Sequence, residues 1–386
     1  MPKKICVVTS SRADYGLLFW LMKEVAAQSN LTLQIVASGM HLSPEFGLTY
    51  QSLLRDGFII DEKVEMLLSS DTAVGIAKSI GLGVIGFADA FNRLNPDCIV
   101  LLGDRFETFA AAQAAFIAKI PIAHLHGGEL TMGAYDDGIR HSITKMSQLH
   151  FVAAKPYQHR VIQLGENPDN VYCVGAMVLD AISRLTLLEK NQLESLLGIR
   201  FNELNFVITY HPETLGSTPS KQGFLALLDA ISTFENTNFI FTKGNADSDG
   251  RIINELIDQF CAENSSRAKA FDALGQQKCL SLLKNVDVIV GNSSSGILEA
   301  PFFKTPTVNI GDRQQGRIRA ASIIDCANDA QDIIRAIKTA LSSEFKQKLM
   351  QLNLPYGEGN VAKKVVEVLE QRDLRSLIKK QFYDIK

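Results

Sequence analysis

The stretch Ile5-Cys-Val-Val-Thr9, running without a break into Ser10-Ser-Arg-Ala-Asp-Tyr-Gly16, decides how this chain is read. Four apolar residues in a row predict a strand buried on both faces, and the sudden change to hydroxyls and charges predicts the loop after it. The pattern recurs at Leu31–Ala37, Cys98–Leu102, Ile120–Leu125, His150–Ala153 and Val171–Val174, with helical segments between. A second series begins at Phe206–Tyr210 and continues through Phe239–Thr242, Ala268–Phe271, Val286–Val290 and Thr307–Ile310. Runs that are continuously apolar, not alternating, belong to parallel sheets covered by helices on both faces. The reading is therefore α/β, with two doubly wound, Rossmann-like domains.

Length agrees, because 386 residues exceed what one core holds and suit two domains of roughly 170–200 residues. Leu179–Asn205 is charged and helical in pattern, with Gly198 as a C-cap, and so reads as a connector. The expected boundaries are 1–180 for the first domain and 181–360 for the second. A long amphipathic helix over Val361–Lys380 is expected to return to the first domain, so that residues 361–386 complete it.

A composition of 46% apolar and 21% charged residues, with net charge −3, fits a globular protein and offers no basic surface for nucleic acid. Met1-Pro-Lys-Lys leads straight into a strand, not into an apolar signal core, so a cytoplasmic protein is expected. No window reaches the roughly 18 uninterrupted apolar residues that span a bilayer, and a membrane partner is not expected. The six cysteines are scattered without CxxC pairs and read as reduced.

In open parallel sheets ligands sit beyond the carboxyl ends of the strands, and those positions are unusually polar here. Gly291-Asn-Ser-Ser-Ser-Gly296 follows one strand and opens a helical segment, so Ser293, Ser294, Ser295 and Gly296 form a candidate phosphate cradle. An ordinary serine cap is the simpler alternative. Glu299, one turn on, is a candidate acceptor for ribose hydroxyls, or a first-turn carboxylate that suits the helix dipole. Arg12, in the loop after the first strand, and Arg313 and Arg317, after Thr307–Ile310, are candidate forks for a diphosphate. Neither GxGxxG after the first strand nor GxxxxGK[ST] is present, which removes the usual signatures of nicotinamide and P-loop binding.

Asp104, Glu107, Glu129, Asp136 and Asp137 follow the middle strands of the first domain. Carboxylates gathered at one site push each other's pKa values apart and so supply a base and an acid near neutral pH. For Glu107 a helix-terminal charge is the preferred reading. His124 and His126 lack a third ligand at metal spacing and read as hydrogen-bonding groups. His211, followed by Pro212, is the best single general acid or base in the second domain.

Taken together, Ser11-Arg-Ala-Asp-Tyr-Gly16, Gly39-Met-His-Leu42, Leu102-Gly-Asp-Arg-Phe-Glu107, His126-Gly-Gly-Glu129, Asp136-Asp-Gly-Ile-Arg-His141, His211-Pro-Glu-Thr214 and Asn292-Ser-Ser-Ser-Gly296 resemble the hydrolysing UDP-N-acetylglucosamine 2-epimerases over nearly the whole chain. The resemblance implies a GT-B-like fold with a cleft between the domains, no metal or redox cofactor, and a homodimer. It implies anti elimination of UDP from UDP-N-acetylglucosamine to a glycal, then hydration to N-acetylmannosamine, the opening step of sialic acid biosynthesis. Carried over by motif, Asp104, Asp136 and His211 match catalytic positions, and Glu129 is the choice for a third carboxylate because many relatives have glutamate where this chain has His126. Arg12, Ser294, Ser295, Glu299 and Arg317 match nucleotide-holding positions, with Ser293 and Arg313 as neighbours. The alternatives are the same reaction on UDP-2,4-diacetamido-2,4,6-trideoxyglucose, in the legionaminic acid route, and a GT-B glycosyltransferase.

Overall fold

The computed structural model describes residues 1–70, 72–131, 135–212, 220–243, 250–272 and 274–385. The chain divides into two compact units, residues 1–183 with 356–386, and residues 184–355. The expected loop Lys243–Asp247 falls outside the described residues beyond Lys243, and so do Glu213 and Thr214.

Along the first unit run β1 (Lys3–Thr9), α1 (Arg12–Ala27), β2 (Leu31–Ser38), α2 (Tyr50–Arg55), β3 (Glu62–Val64), α3 (Ala73–Leu94), β4 (Cys98–Leu102), α4 (Phe106–Ile117), β5 (Ile122–Leu125), α5 (Asp136–Met146), β6 (Leu149–Val152), α6 (Lys155–Gln163), β7 (Val171–Cys173) and α7 (Val178–Arg184). The second unit follows with α8 (Lys190–Leu197), β8 (Leu204–Thr209), α9 (Ser220–Ser232), β9 (Thr237–Thr242), α10 (Gly250–Glu263), β10 (Ala268–Phe271), α11 (Gln276–Asn285), β11 (Val288–Gly291), α12 (Ser294–Leu298), β12 (Thr307–Ile310), β13 (Ile323–Cys326), α13 (Ala330–Leu341) and α14 (Ser343–Lys348). The last helix, α15 (Val361–Gln371), belongs to the first unit.

Both sheets are parallel. Their orders are β3-β2-β1-β4-β5-β6-β7 and β10-β9-β8-β11-β12-β13, so each reverses direction once, between β1 and β4 and between β8 and β11. The apolar runs are continuous because each face feeds a different core. In the first unit Ile5 and Val7 join Cys98, Val100 and Leu102 on the face covered by α1 and α15. Cys6 and Val8 join Ile99 and Leu101 on the other face, under α3 and α4. Each such buried aliphatic side chain contributes about 1.5–3 kcal/mol, which leaves no position on β4 free for a polar residue.

Two expectations need correction. β3 and β13 were not anticipated: both are edge strands, and Glu62-Lys-Val64 and Ile323-Ile-Asp-Cys326 interleave charges with apolar residues. The C-terminal helix stops at Gln371, not Lys380, because the Lys3 ammonium caps its last turn, donating to the carbonyls of Leu369 at 3.1 Å, Glu370 at 2.5 Å and Arg372 at 2.9 Å. α3 has 22 residues and an 18-residue window of mean hydropathy 1.5, long and apolar enough by length and composition to cross a membrane, although Lys78 and Asp89 interrupt its apolar run as the sequence showed. Its glycine face is nonetheless packed inside the unit, where Gly83 lies against Met66 and Ala110 and Gly86 against Val64.

Candidate active site

In each unit the loops just beyond the reversal of strand order are where a ligand crevice forms. The predicted site residues fall into two groups on that principle, one in each unit.

In the first unit β4 ends at Leu102, and Asp104 stands two residues beyond it. From the neighbouring α5 comes Arg140, a residue that the reading of single motifs passed over. Its side chain is only 6% exposed and organises the acids around itself. One guanidinium nitrogen donates to the Asp104 carboxylate and to Thr131 Oγ1 at 2.7 Å. The other donates to the Glu129 carbonyl at 2.8 Å and reaches Asp137 Oδ1 at 3.4 Å. The signal for it was present: Arg140 lies three and four residues after Asp137 and Asp136, which puts all three on one face of a helix.

Asp136 opens α5 and is half-buried. Burial pushes its carboxyl above the usual range, the Asp104 charge pushes it further, and Arg140 and Arg105 only partly oppose this. The separation of carboxyl pKa values that the sequence suggested therefore has a physical basis at Asp136. Glu107 is different. It sits fully buried in the first turn of α4 and accepts from two guanidinium nitrogens of Arg105, Nη2 at 2.9 Å and Nε at 3.2 Å, which commits it to structure.

Glu129 is reached through His126. The His126 ring lies between Glu129 Oε1, 2.8 Å from Nδ1, and the Met177 amide, which donates to Nε2 at 3.1 Å. His124 points elsewhere: fully buried, it contacts the Gly103 carbonyl from Nε2 at 2.8 Å, and burial depresses its pKa to about 3. Arg12 is not in a loop as expected but is the first residue of α1, and it is exposed. The Ser11 hydroxyl caps that helix by accepting from the Asp14 N–H.

In the second unit the organiser is Asn292, fully buried and also missed. Its Oδ1 accepts from the His211 N–H at 2.7 Å and its Nδ2 donates to the His211 carbonyl at 2.9 Å, so the side-chain amide clasps His211 as a strand partner would. Its own carbonyl accepts from Arg313 at 3.0 Å and Gln314 at 2.8 Å. Gly291 makes the approach possible: at φ +136°, a Cβ there would come within 2.0 Å of the Thr209 carbonyl oxygen.

The serine run behaves only partly as anticipated. Ser293 is the cap of α12, accepting from the Ser295 N–H at 3.3 Å, which is the simpler of the two alternatives. With five residues α12 carries little dipole, so the case for an anion there rests on hydroxyls and amides instead. Gly296 is buried against Thr307, whose hydroxyl donates to its carbonyl at 3.0 Å, so it packs the helix onto β12. Glu299 is not a first-turn carboxylate: it is the C-cap, where the dipole disfavours a negative charge. Burial raises its pKa, and the Ser295 hydroxyl offsets this only in part. Arg313 is exposed and Arg317 half-buried on the turn after β12. His211 belongs to this second group and not to the acidic one.

Comparison with known proteins gives this geometry its context. Residues 23–370 match the family model described as UDP-N-acetylglucosamine 2-epimerase. The chain is 44% identical over 384 residues to a GDP/UDP-N,N'-diacetylbacillosamine 2-epimerase (hydrolyzing) of Campylobacter jejuni, covering 99% of each. It is 33% identical to a UDP-N,N'-diacetylbacillosamine 2-epimerase (hydrolyzing) of Legionella pneumophila, covering 98% of each. Its fold superposes on the crystal structure of UDP-GlcNAc 2-epimerase from Neisseria meningitidis bound to UDP-GlcNAc, with TM-score 0.75 at 21% identity, covering 96% of this chain and all of the other. That likeness makes the fold GT-B-like, as the motifs implied.

Proposed function

The chain belongs to the UDP-N-acetylglucosamine 2-epimerase family and is an enzyme of its hydrolysing kind, and from that premise we propose that its substrate is UDP-N,N'-diacetylbacillosamine, that is, UDP-2,4-diacetamido-2,4,6-trideoxyglucose. The support is the 44% identity, over 99% of both chains, to a hydrolysing enzyme named for that sugar. The products are UDP and the free 2,4-diacetamido-2,4,6-trideoxy sugar inverted at C2. UDP-N-acetylglucosamine, giving N-acetylmannosamine for sialic acid synthesis, is the second reading, favoured by the description of the family model.

The reaction requires a base for a weakly acidic C2 proton and a stabilised leaving group at C1. A carboxylate takes the C2 proton as the C1–O bond breaks, and its electron pair leaves with UDP. Water then adds its oxygen to C1 of the glycal, and a proton returns to C2 from the opposite face. The observation that carries the reading is the Arg140 cluster, in which Asp104 and the Glu129 backbone share one guanidinium while Asp136 beside them has a raised pKa. We assign proton transfer to Asp104, Glu129, Asp136 and His211. We assign the nucleotide to Arg12, Ser294, Ser295, Glu299, Arg313 and Arg317, with Ser293 and Gly296 shaping the loop.

Incubation with each UDP-sugar in deuterated water, followed by proton NMR, tests this. UDP release with a free sugar deuterated at C2 is expected, with the higher kcat/KM for the bacillosamine derivative. An inverted sugar still bound to UDP, or no UDP release without an acceptor, overturns it; a higher kcat/KM for UDP-N-acetylglucosamine selects the second reading. A homodimer is also proposed. It is supported by Val74, Leu82 and Ile85, which form one exposed stripe on α3, and by exposed Phe116 and Ile117 at the end of α4. Leu82→Glu with Ile85→Glu should convert a dimer to a monomer in analytical ultracentrifugation, and a monomeric wild type rejects the assignment.

A further inference from the structure

We propose that His126 is a positioning residue: locked in its neutral, Nδ1-protonated form by the Met177 amide, it donates to Glu129 and fixes the orientation of that carboxylate. The inference rests on the proton-transfer role proposed for Glu129.

The logic is one of donors and acceptors. A backbone N–H only donates, so the 3.1 Å bond from Met177 requires a lone pair on His126 Nε2. A neutral imidazole with a lone pair there carries its proton on Nδ1, and Nδ1 faces Glu129 Oε1 at 2.8 Å. Imidazolium would set Nε2–H against the amide N–H. The ring is a one-way donor to a carboxylate, the kind of bond that is short and strong.

Both anchors are rigid. Met177 is buried, and the residue before it donates its N–H to the Tyr356 carbonyl at 2.9 Å. His126 itself is held at φ +63°, with its N–H donating to the Phe151 carbonyl at 2.9 Å. The left-handed region at the end of β5 is one that histidine adopts more readily than most residues. Here it turns the ring from the strand direction towards Glu129. The Glu129 backbone is fixed separately, since its carbonyl accepts from Arg140. His126 thus sets the side chain of Glu129 and Arg140 sets its main chain, and through Arg140 both connect to Asp104. With side-chain exposures of 15% and 12%, His126 and Glu129 keep a face to solvent that a substrate can occupy.

Two measurements decide it. Two-bond proton–nitrogen correlation spectra of the ¹⁵N-labelled chain at pH 7 are expected to show His126 neutral with Nδ1 protonated; a proton on Nε2, alone or with Nδ1, overturns the proposal whatever the substrate proves to be. For kinetics, His126→Asn and His126→Gly both accept the left-handed backbone, and only asparagine returns an N–H near the Nδ1 position. On whichever UDP-sugar the wild type hydrolyses, His126→Gly should lose about 10- to 100-fold in kcat with KM little changed, and His126→Asn should recover most of it. Equal losses in the two variants, or a loss confined to KM, overturns the role. A wild type that hydrolyses no UDP-sugar refutes the proposed function instead, and leaves the spectrum to decide the hydrogen bond.

Discussion

The two units share a strand order, yet they fix their loops by different chemistry. In the first, the residues beyond β4 and β5 are held by charge: one guanidinium joins Asp104, Asp137 and the Glu129 backbone, and Asp136 stands near enough to feel Asp104. In the second, the loops beyond β8 and β11 are held mainly by neutral amides, with Asn292 clasping His211 and Gln314 donating to the Asn292 carbonyl, and a single guanidinium, that of Arg313, joins at that carbonyl. Six of the seven histidines, His41, His124, His126, His141, His150 and His159, lie in the first unit, and His211 alone lies in the second. The contrast separates two tasks, with His211 in the second unit and Arg12 in the first as the two assigned exceptions. Titratable groups whose pKa values are driven apart suit proton transfer, whereas rigid amides and hydroxyls suit holding a ligand whose charge does not change.

Asp104→Asn is the strongest way to break that division. It keeps the shape but removes the charge that raises Asp136 and neutralises Arg140, so turnover should fall by about 10²- to 10⁴-fold while UDP affinity by calorimetry stays within about twofold. Next in size is Asn292→Ala in the second unit. The looser loop should weaken UDP binding by roughly 10- to 100-fold, and loss of both bonds to His211, which is assigned proton transfer, should lower turnover as well. If Asp104→Asn weakens UDP binding as much as Asn292→Ala does, the two units do not divide the work.

How much of this was legible in the sequence follows the same line. β4 and β12 begin and end where their apolar runs do, because a strand buried on both faces leaves its whole length in its composition. The edge strands β3 and β13 do not, since their identity comes from pairing with β2 and β12 and not from their own residues. Among site residues, the carboxylates were visible because polar groups directly after an apolar run stand out. Asn292 was not, because its role is to bond backbone brought in from another loop, and Arg140 showed only its helical spacing from Asp136 and Asp137, not its bonds to Asp104 and the Glu129 carbonyl. Gly198 as the cap of α8 was readable from composition alone, at φ +63°. The cap role of Ser293 was anticipated as one of two alternatives; that Glu299 would sit at a helix C-terminus was not, because the length of α12 was unknown.

Acid sharpens the comparison. His41 and His124, pushed down by burial to about 4 and about 3, and His150, lowered for the same reason, remain neutral in the folded first unit. Below their ordinary value of 6.5 the unfolded chain binds protons that the folded unit does not, so stability falls as pH falls from there. Glu166 adds to this lower down. Burial pushes its carboxyl up, but His150, Lys145 and Lys380 outweigh that and bring it to about 2, so its contribution, present above the usual carboxylate range, is lost as pH drops towards that value. Asp136, with a raised pKa, opposes the trend. In the second unit Glu299 is also raised, and a carboxyl protonated more readily when folded gains stability as pH falls. Hydrogen exchange at stepwise lower pH should therefore show protection lost first in peptides of the first unit, between about pH 6 and 4. Simultaneous loss in both units would remove the electrostatic half of the contrast.

The smallest expected effect concerns a link inside the first unit, where the C-terminal tail ties down the helix that carries Asp136 and Arg140. Lys380 donates to Glu166 at 2.5 Å and to the carbonyls of Lys145 at 2.8 Å, Ser147 at 2.7 Å and Thr144 at 3.4 Å, which closes the C-terminal end of α5. Phe382 packs on Gly165, and the Tyr383 N–H donates to the Gly165 carbonyl at 2.9 Å. Lys380→Met keeps the apolar stem but removes the ammonium, so the α5 carbonyls lose a charged donor while Glu166 keeps His150 at 2.9 Å and Lys145 at 2.7 Å. Because most of the acid's partners survive, the cost should be only about 1–2 kcal/mol, read as a fall in Tm of roughly 2–4 °C per kcal/mol. Glu166→Gln, which disturbs all three partners at once, should cost more and sets the scale. A Lys380→Met protein with unchanged Tm would mean that the tail merely rests on α5, and that the charge network of the first unit ends at Glu166.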